Sequence, residues 1–216
     1  MTSPVRHTQA LPAGPFGCIL ADPPWAFRTF SGDAVPQRAD EQHYDTMALD
    51  ALMALPVREV AARDCLLIVW CVGAMLPQAL ALGEAWGFRF VSDGLWWLKQ
   101  RLRDADQIDL FTDDISEPVK GMGYWFRKQG ELSLVFSRGN PKRCDAGVPG
   151  VIIEPRREHS RKPDCQYERI EALVEGPYLE LFARQAWPGW SAWGNQVGKF
   201  EPVLDQRSDS DEKNAA

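Results

Sequence analysis

The chain is poor in the features that would mark a secreted, zinc-stapled or membrane-bound protein. Its five cysteines are Cys18, Cys65, Cys71, Cys144 and Cys165; they are odd in number, form no Cys-x-x-Cys pair, and are joined by only three histidines. That set lacks the ligand spacing of a structural zinc site, so no metal is expected and free thiols in a reducing compartment are the simplest reading. No basic start followed by an apolar stretch opens the chain, which argues against a signal peptide. The longest apolar run, residues 65–76, is too short to cross a bilayer and is closed by Pro77. A cytoplasmic protein without membrane attachment is expected. Positive charge is also lacking: 24 Lys and Arg stand against 30 Asp and Glu, a net charge of −6. A surface coated with cations is excluded, and a polyanion could be held only by local clusters. Finally, no Gly-x-Gly-x-x-Gly follows an early strand, so the usual dinucleotide fingerprint is missing.

What is present is the balance of an ordinary globular domain, 45% hydrophobic and 25% charged over 216 residues. We expect an N-terminal extension over residues 1–16, one domain over 17–203, and a polar, disordered tail over 204–216. Residues 17–21 form a short apolar run stopped by Asp22-Pro23-Pro24, which puts a carboxylate at the C-terminal end of a strand. In open α/β sheets that edge is where ligands bind. Residues 47–63 read as a helix interrupted near Pro56, and residues 65–71 as a strand buried on both faces. A helix over 76–86 and strands over 88–99 and 131–137 follow. A helix over 163–174 and a final strand over 178–183 complete the pattern. Strands alternating with helices indicate a mostly parallel sheet covered on both sides. The strands flanking the polar stretch 100–120 show no helix between them and could form an antiparallel edge pair.

The chemistry concentrates at Asp22-Pro23-Pro24-Trp25. An exocyclic amine on a nucleobase is a poor nucleophile because its lone pair is delocalised into the ring. An enzyme must orient that nitrogen and accept its hydrogens. A carboxylate (Asp22) beside a backbone carbonyl (Pro23) can do both, with proline stiffening the turn. An aromatic residue such as Trp25 offers a face to a base turned out of its stack.

This tetrapeptide resembles the signature of the MT-A-seventy-like family, adenine-N6 methyltransferases related to the catalytic subunit of the messenger-RNA enzyme. Further segments match in order from about Cys18 to Gly198. They include His43-Tyr44-Asp45-Thr46-Met47, Ala85-Trp86-Gly87-Phe88, Gly121-Met122-Gly123-Tyr124-Trp125-Phe126-Arg127 and Glu131-Leu132. After these come Arg157-Glu158-His159-Ser160-Arg161-Lys162-Pro163, Leu179-Glu180-Leu181-Phe182-Ala183-Arg184 and Trp193-Gly194-Asn195-Gln196. The resemblance is closest to the small bacterial and phage branch. It implies an α/β, Rossmann-like S-adenosylmethionine-dependent methyltransferase fold, circularly permuted so that the acidic motif precedes the cofactor strand, here residues 178–183. It implies cofactor contacts from Asp22, Ser160, Lys162, Glu180, Arg184, Asn195 and Gln196, with Lys162 facing the cofactor's carboxylate as a point charge. One departure stands out: some relatives carry His-Asn shortly after the Arg184 position, where this chain has Gln185-Ala186-Trp187.

For the substrate, Arg28, His43, Tyr44, Arg127 and Arg157 are the candidate contacts. Two basic clusters, one with Arg138, Lys142 and Arg143 and one with Arg156, Arg157, Arg161 and Lys162, suit phosphates or, equally, a solvated surface. Most of the nine tryptophans, Trp70 and Trp86 among them, read as core. The expected partner is nucleic acid and the expected state a monomer or homodimer. DNA is preferred for a small chain of prokaryotic type, with RNA second. The rival readings are a catalytically silent partner subunit and a cytosine-N4 methyltransferase.

Overall fold

The computed structural model describes residues 9–26, 46–100, 125–158 and 160–200. Its described part is organised by one mixed sheet of seven strands in the order β5-β3-β4-β2-β1-β6-β7. In chain order these are β1 (Phe16–Ala21), β2 (Ala61–Cys71), β3 (Arg89–Gln100), β4 (Gly130–Arg138), β5 (Val151–Pro155), β6 (Tyr178–Leu181) and β7 (Trp190–Trp193). Helices α1 (Leu49–Met53), α2 (Val57–Val60), α3 (Leu76–Ala85) and α4 (Cys165–Leu173) complete the set.

The period-two alternation of strands builds two cores. Ile19 and Ala21 of β1 join Leu67 and Val69 of β2 and Leu134 and Phe136 of β4 on one face, under Leu52, Val57 and Leu82 of α1 to α3. Cys18, Leu20, Ile68 and Trp70 point the other way and pack beneath Tyr167 and Ile170 of α4. Strand β2 is apolar throughout its second half because both of its faces are covered. The expected α/β class, with helices on both sides, is what forms.

Three local expectations are corrected. The helical stretch of residues 47–63 ends sooner: α2 is a single turn, and Ala61 is already paired with Phe16 in the sheet. Strand pairing overrides weak helix propensity there. The antiparallel pair β3–β4 is not at an edge. Strand β4 also pairs antiparallel with β2, and β3 pairs parallel with β5. Strands β5 and β7 were not expected from the sequence: β7 places Ser191 and Ala192 between its tryptophans, and β5 ends on Glu154 and Pro155. The expected tail over 204–216 lies outside the described residues. No described helix is long and apolar enough to cross a membrane.

This topology fixes where a ligand can enter. Strand β1 is flanked by β2 on one side and β6 on the other, both parallel to it. The connection to β2 runs through α1 and α2 on one face, while β6 is reached through α4 on the other. The chain therefore reverses its winding at β1, and a crevice opens above the carboxyl ends of β1 and β6. Asp22 is the first residue past β1.

Candidate active site

Asp22 stands at that crevice, its N–H directed at the Leu181 carbonyl at the end of β6 (3.4 Å). Two prolines prevent the strand from continuing. The turn is then pinned by its own backbone: Trp25 N–H donates to the Pro23 carbonyl at 2.8 Å, and Met47 N–H to the Pro24 carbonyl at 2.9 Å. The Pro23 carbonyl keeps a second lone pair for a ligand. Trp25 is only 7% exposed, packs in the core under α1 to α3, and donates its indole N–H to the Trp70 carbonyl at 3.1 Å. The open stacking face expected there is thus replaced by a buried brace, since the indole's apolar area is better satisfied against the core.

The Asp22 carboxylate accepts from Lys162 Nζ at 2.7 Å and lies 3.7 Å from the Arg184 guanidinium. Lys162 is aimed by the segment that leads into α4. Its carbonyl accepts from Arg157 at 2.9 Å, and Arg157 is itself held by Asp164. Arg157 braces the site lysine through these contacts. The Lys162 ammonium also sits 5.6 Å over the Trp70 ring. Arg184 donates to the Ser160 carbonyl at 2.7 Å. Ser160 and Phe182 both adopt φ of 63°, a left-handed conformation that costs a non-glycine residue about 1–3 kcal/mol. Both residues line the same crevice.

Glu131 is the residue that sequence reasoning missed. It entered only as a strand start and as part of a matching segment with no role assigned, yet it accepts from Lys162 at 3.1 Å and forms an ion pair with Lys99. Burial would push its carboxyl up, but the Lys162 and Lys99 ammoniums outweigh that and hold it down to about 2. Lys162 responds in kind: burial disfavours its charge, and Asp22 and Glu131 more than restore it. An alternating line of charge therefore runs from Lys99 through Glu131 and Lys162 to Asp22 and Arg184. The signal that could have revealed Glu131 was the direction of β4, because only an antiparallel β4 brings its first residues to the end of the sheet where β1 finishes.

On the other wall, Glu180 of β6 is 8% exposed and accepts from the Tyr167 hydroxyl at 2.9 Å. Burial raises its carboxyl to about 8, with the nearby Asp22 charge adding to the rise. Gln185, the departure from the His-Asn pattern, is buried and donates to Asp164 at 2.9 Å. Among the described residues, neither Gln185 Oε1 nor Arg161 Nε has a hydrogen-bond partner, and both residues line the crevice with Asp22, Lys162, Glu180 and Arg184. Asn195 and Gln196 follow the carboxyl end of β7, beside β6 at the same end of the sheet. Arg127 is exposed just ahead of β4. Arg28, His43 and Tyr44 lie outside the described residues.

A mixed α/β sheet with a ligand crevice at its switch point is the architecture of an S-adenosylmethionine-dependent methyltransferase, the class to which the MT-A70 family belongs. Residues 16–196 match the family described as MT-A70, and the chain belongs to that family. It is 26% identical to M.MunI, a type II methyltransferase of Mycoplasma sp, over 94% of this chain and 86% of that protein. It is 30% identical to an MT-A70-like N(6)-adenosine-methyltransferase of Arabidopsis thaliana over 85% of this chain and 24% of the relative. With the human N(6)-adenosine-methyltransferase catalytic subunit METTL3 it shares 28% identity over 89% of this chain and 30% of that protein. The chain thus spans most of the Mycoplasma protein but less than a third of the plant and human ones.

Proposed function

We propose that this protein transfers a methyl group from S-adenosylmethionine to the N6 amine of adenine in nucleic acid, with DNA the preferred substrate. The observation that carries the reading is the Asp22–Lys162 contact of 2.7 Å above the carboxyl ends of β1 and β6, in a chain of the MT-A70 family.

The crevice suits the cofactor's chemistry. Its residues pair cations for a carboxylate (Lys162, Arg184) with acids for an amine and hydroxyls (Asp22, Glu180). The unpaired Gln185 Oε1 and Arg161 Nε add a further acceptor and donor. Asn195 and Gln196 are assigned to the cofactor's ribose side and Ser160 to the wall beside it. When bound, the cofactor supplies an electrophilic methyl on sulfonium. The chain's own residues do the rest. Asp22 and the Pro23 carbonyl accept the two amine hydrogens and direct the nitrogen lone pair out of the ring plane. Glu131 takes a share of Lys162, so the ammonium keeps a partner when the Asp22 carboxylate turns to the amine. The amine proton leaves toward Asp22 after attack, and no covalent enzyme intermediate is needed. On this reading β6 is the cofactor strand and the strand order is permuted.

DNA is preferred because a relative matched over 86% of its own length is a type II methyltransferase. RNA is the second reading, favoured by a 29% identical N6-methyladenosine RNA methyltransferase of Cryphonectria parasitica, of which the chain covers 56%. The test is nucleoside mass spectrometry of DNA and RNA from cells expressing the protein or its Asp22→Ala variant. An increase in N6-methyladenine that requires Asp22 is expected. An increase in N4-methylcytosine, or none in either polymer, overturns the proposal.

A further inference from the structure

Trp125 and Phe126 are 87% and 88% exposed, whereas seven of the nine tryptophans are no more than 9% exposed. We infer that this pair is a stacking platform for unpaired nucleotides flanking the target base, with Arg127 and Lys128 on their phosphates. The inference rests on the nucleic-acid activity proposed above and names the substrate form: a strand whose bases are free of a complementary partner.

Position is the first argument. The segment is anchored where it meets the sheet, the Gln129 carbonyl accepting Lys99 N–H at 2.9 Å and Gly130 lying opposite Leu98. The next residue, Glu131, reaches Lys162 at 3.1 Å, and Lys162 reaches Asp22 at 2.7 Å. At about 3.5 Å per residue, Trp125 is no more than roughly 21 Å along the chain from Glu131. That distance suits the neighbours of a base held at Asp22. The Lys128 ammonium is at the same end of the sheet, 3.7 Å from where a Cβ on Gly73 would stand, just past β2.

Chemistry is the second. Flat aromatic faces bind any base, because every base has a π-face, and cations beside them neutralise the strand. In a chain of net charge −6, Arg127, Lys128 and Arg156 are all exposed at the end of the sheet that carries Asp22. Among the described residues nearby, the acids Glu158 and Asp164 each form an ion pair with an arginine of their own segment, so they do not offset these three cations. A base inside a duplex has both faces covered by its neighbours and cannot use such a platform, which selects for a single strand or a locally opened site.

The experiment uses the full-length protein with a short fluorescent single-stranded oligonucleotide carrying one adenine. Fluorescence anisotropy gives Kd, and labelled methyl transfer gives KM and kcat. Replacing both aromatic residues (W125A/F126A) is expected to raise Kd and KM roughly tenfold or more while kcat and cofactor affinity hold. Trp125→Phe should restore most of the binding. Lys128→Gln should lower the slope of log K against log salt by about one. Strand binding indifferent to the double substitution sinks the platform alone. So does a double variant whose only change is conversion from dimer to monomer in sedimentation, because the surface would then seat a second copy. A wild-type protein that binds the strand through these aromatics yet transfers no methyl leaves the platform standing and sinks the activity.

Discussion

Two basic clusters look alike in sequence and end up at opposite ends of the sheet. Arg156, Arg157, Arg161 and Lys162 follow β5, which runs parallel to β3 and so finishes at the end that carries Asp22. Arg138, Lys142 and Arg143 follow the far end of β4, where Arg138 pairs with Cys65 near the start of β2. There Arg138 donates to the Arg58 carbonyl at 2.7 Å, and Asp64 accepts from Asn140 N–H at 2.7 Å, so these groups tie loops together. In the first cluster Arg157, Arg161 and Lys162 are drawn into a paired, partly buried network by Asp22, Glu131 and Asp164, while Arg156 stays exposed; in the second, Lys142 and Arg143 are exposed. What separates the clusters is strand direction, and with it whether carboxylates converge on the cations. Partly buried charge is costly unless fully paired, so the site end should be sensitive to every charge removed and the far end nearly indifferent.

The hardest attempt to break this contrast is Asp22→Ala. It removes the amine acceptor and leaves Lys162 to Glu131 alone. Methyl transfer should fall by about 10² to 10³ or more, measured with labelled cofactor on folded protein. A variant retaining wild-type rates would erase the distinction between the two ends. Glu131→Gln comes next. It deprives both Lys99 and Lys162 of a carboxylate, and loss of one partner from such a network costs about 3 kcal/mol. Activity should fall roughly tenfold or more through a misplaced Lys162, and the melting temperature should drop, as read by calorimetry.

The sequence made one half of this site legible and hid the other. Asp22-Pro-Pro-Trp was visible because prolines announce where a strand stops, whereas Lys162 was legible only through the resemblance of the segment Arg157-Glu158-His159-Ser160-Arg161-Lys162-Pro163 to the family. Strands with long apolar runs, β1 and β2, were readable for a local reason as well. Glu131 was not, because its part depends on which way β4 runs, a fact set by pairing with β2 across more than sixty residues of chain and with β3 across more than thirty. The buried fate of Trp25 was equally hidden: the same indole can serve as platform or brace, and only the Trp70 carbonyl decides. Strands β5 and β7 exist because β3 and β6 offer hydrogen bonds to them at the two edges of the sheet.

A third prediction uses acidity. Glu131 and Glu180 are pushed in opposite directions, down to about 2 and up to about 8. Glu180 is raised from 4.5, so its contribution to stability is complete below about pH 4.5 and is lost as pH climbs through about 8, by up to roughly 5 kcal/mol. Glu131 works the other way: its contribution is present above about 4.5 and lost as pH falls toward about 2. Glu180→Gln should therefore flatten the decline in melting temperature between pH 5 and 8 in the cofactor-free protein. An unchanged decline would mean that Glu180 is ionised in the fold.

The smallest expected effect is the most discriminating. Lys142→Gln combined with Arg143→Gln removes two cations that no described ion pair holds. Stability should move by no more than about 0.5 kcal/mol, as for exposed positions in general. Because β4 carries the chain seven positions, or roughly 23 Å at the rise of a β-strand, from Glu131 to Arg138 before it reaches these two residues, they should leave KM for a short oligonucleotide unchanged. A long single strand is different, since it could extend past the far end of the sheet. If the double variant weakens binding of long but not short substrates, both clusters face one nucleic acid and the contrast between them is one of distance. If it weakens short ones equally, the far cluster belongs to the site, and the division of labour read from strand direction is wrong.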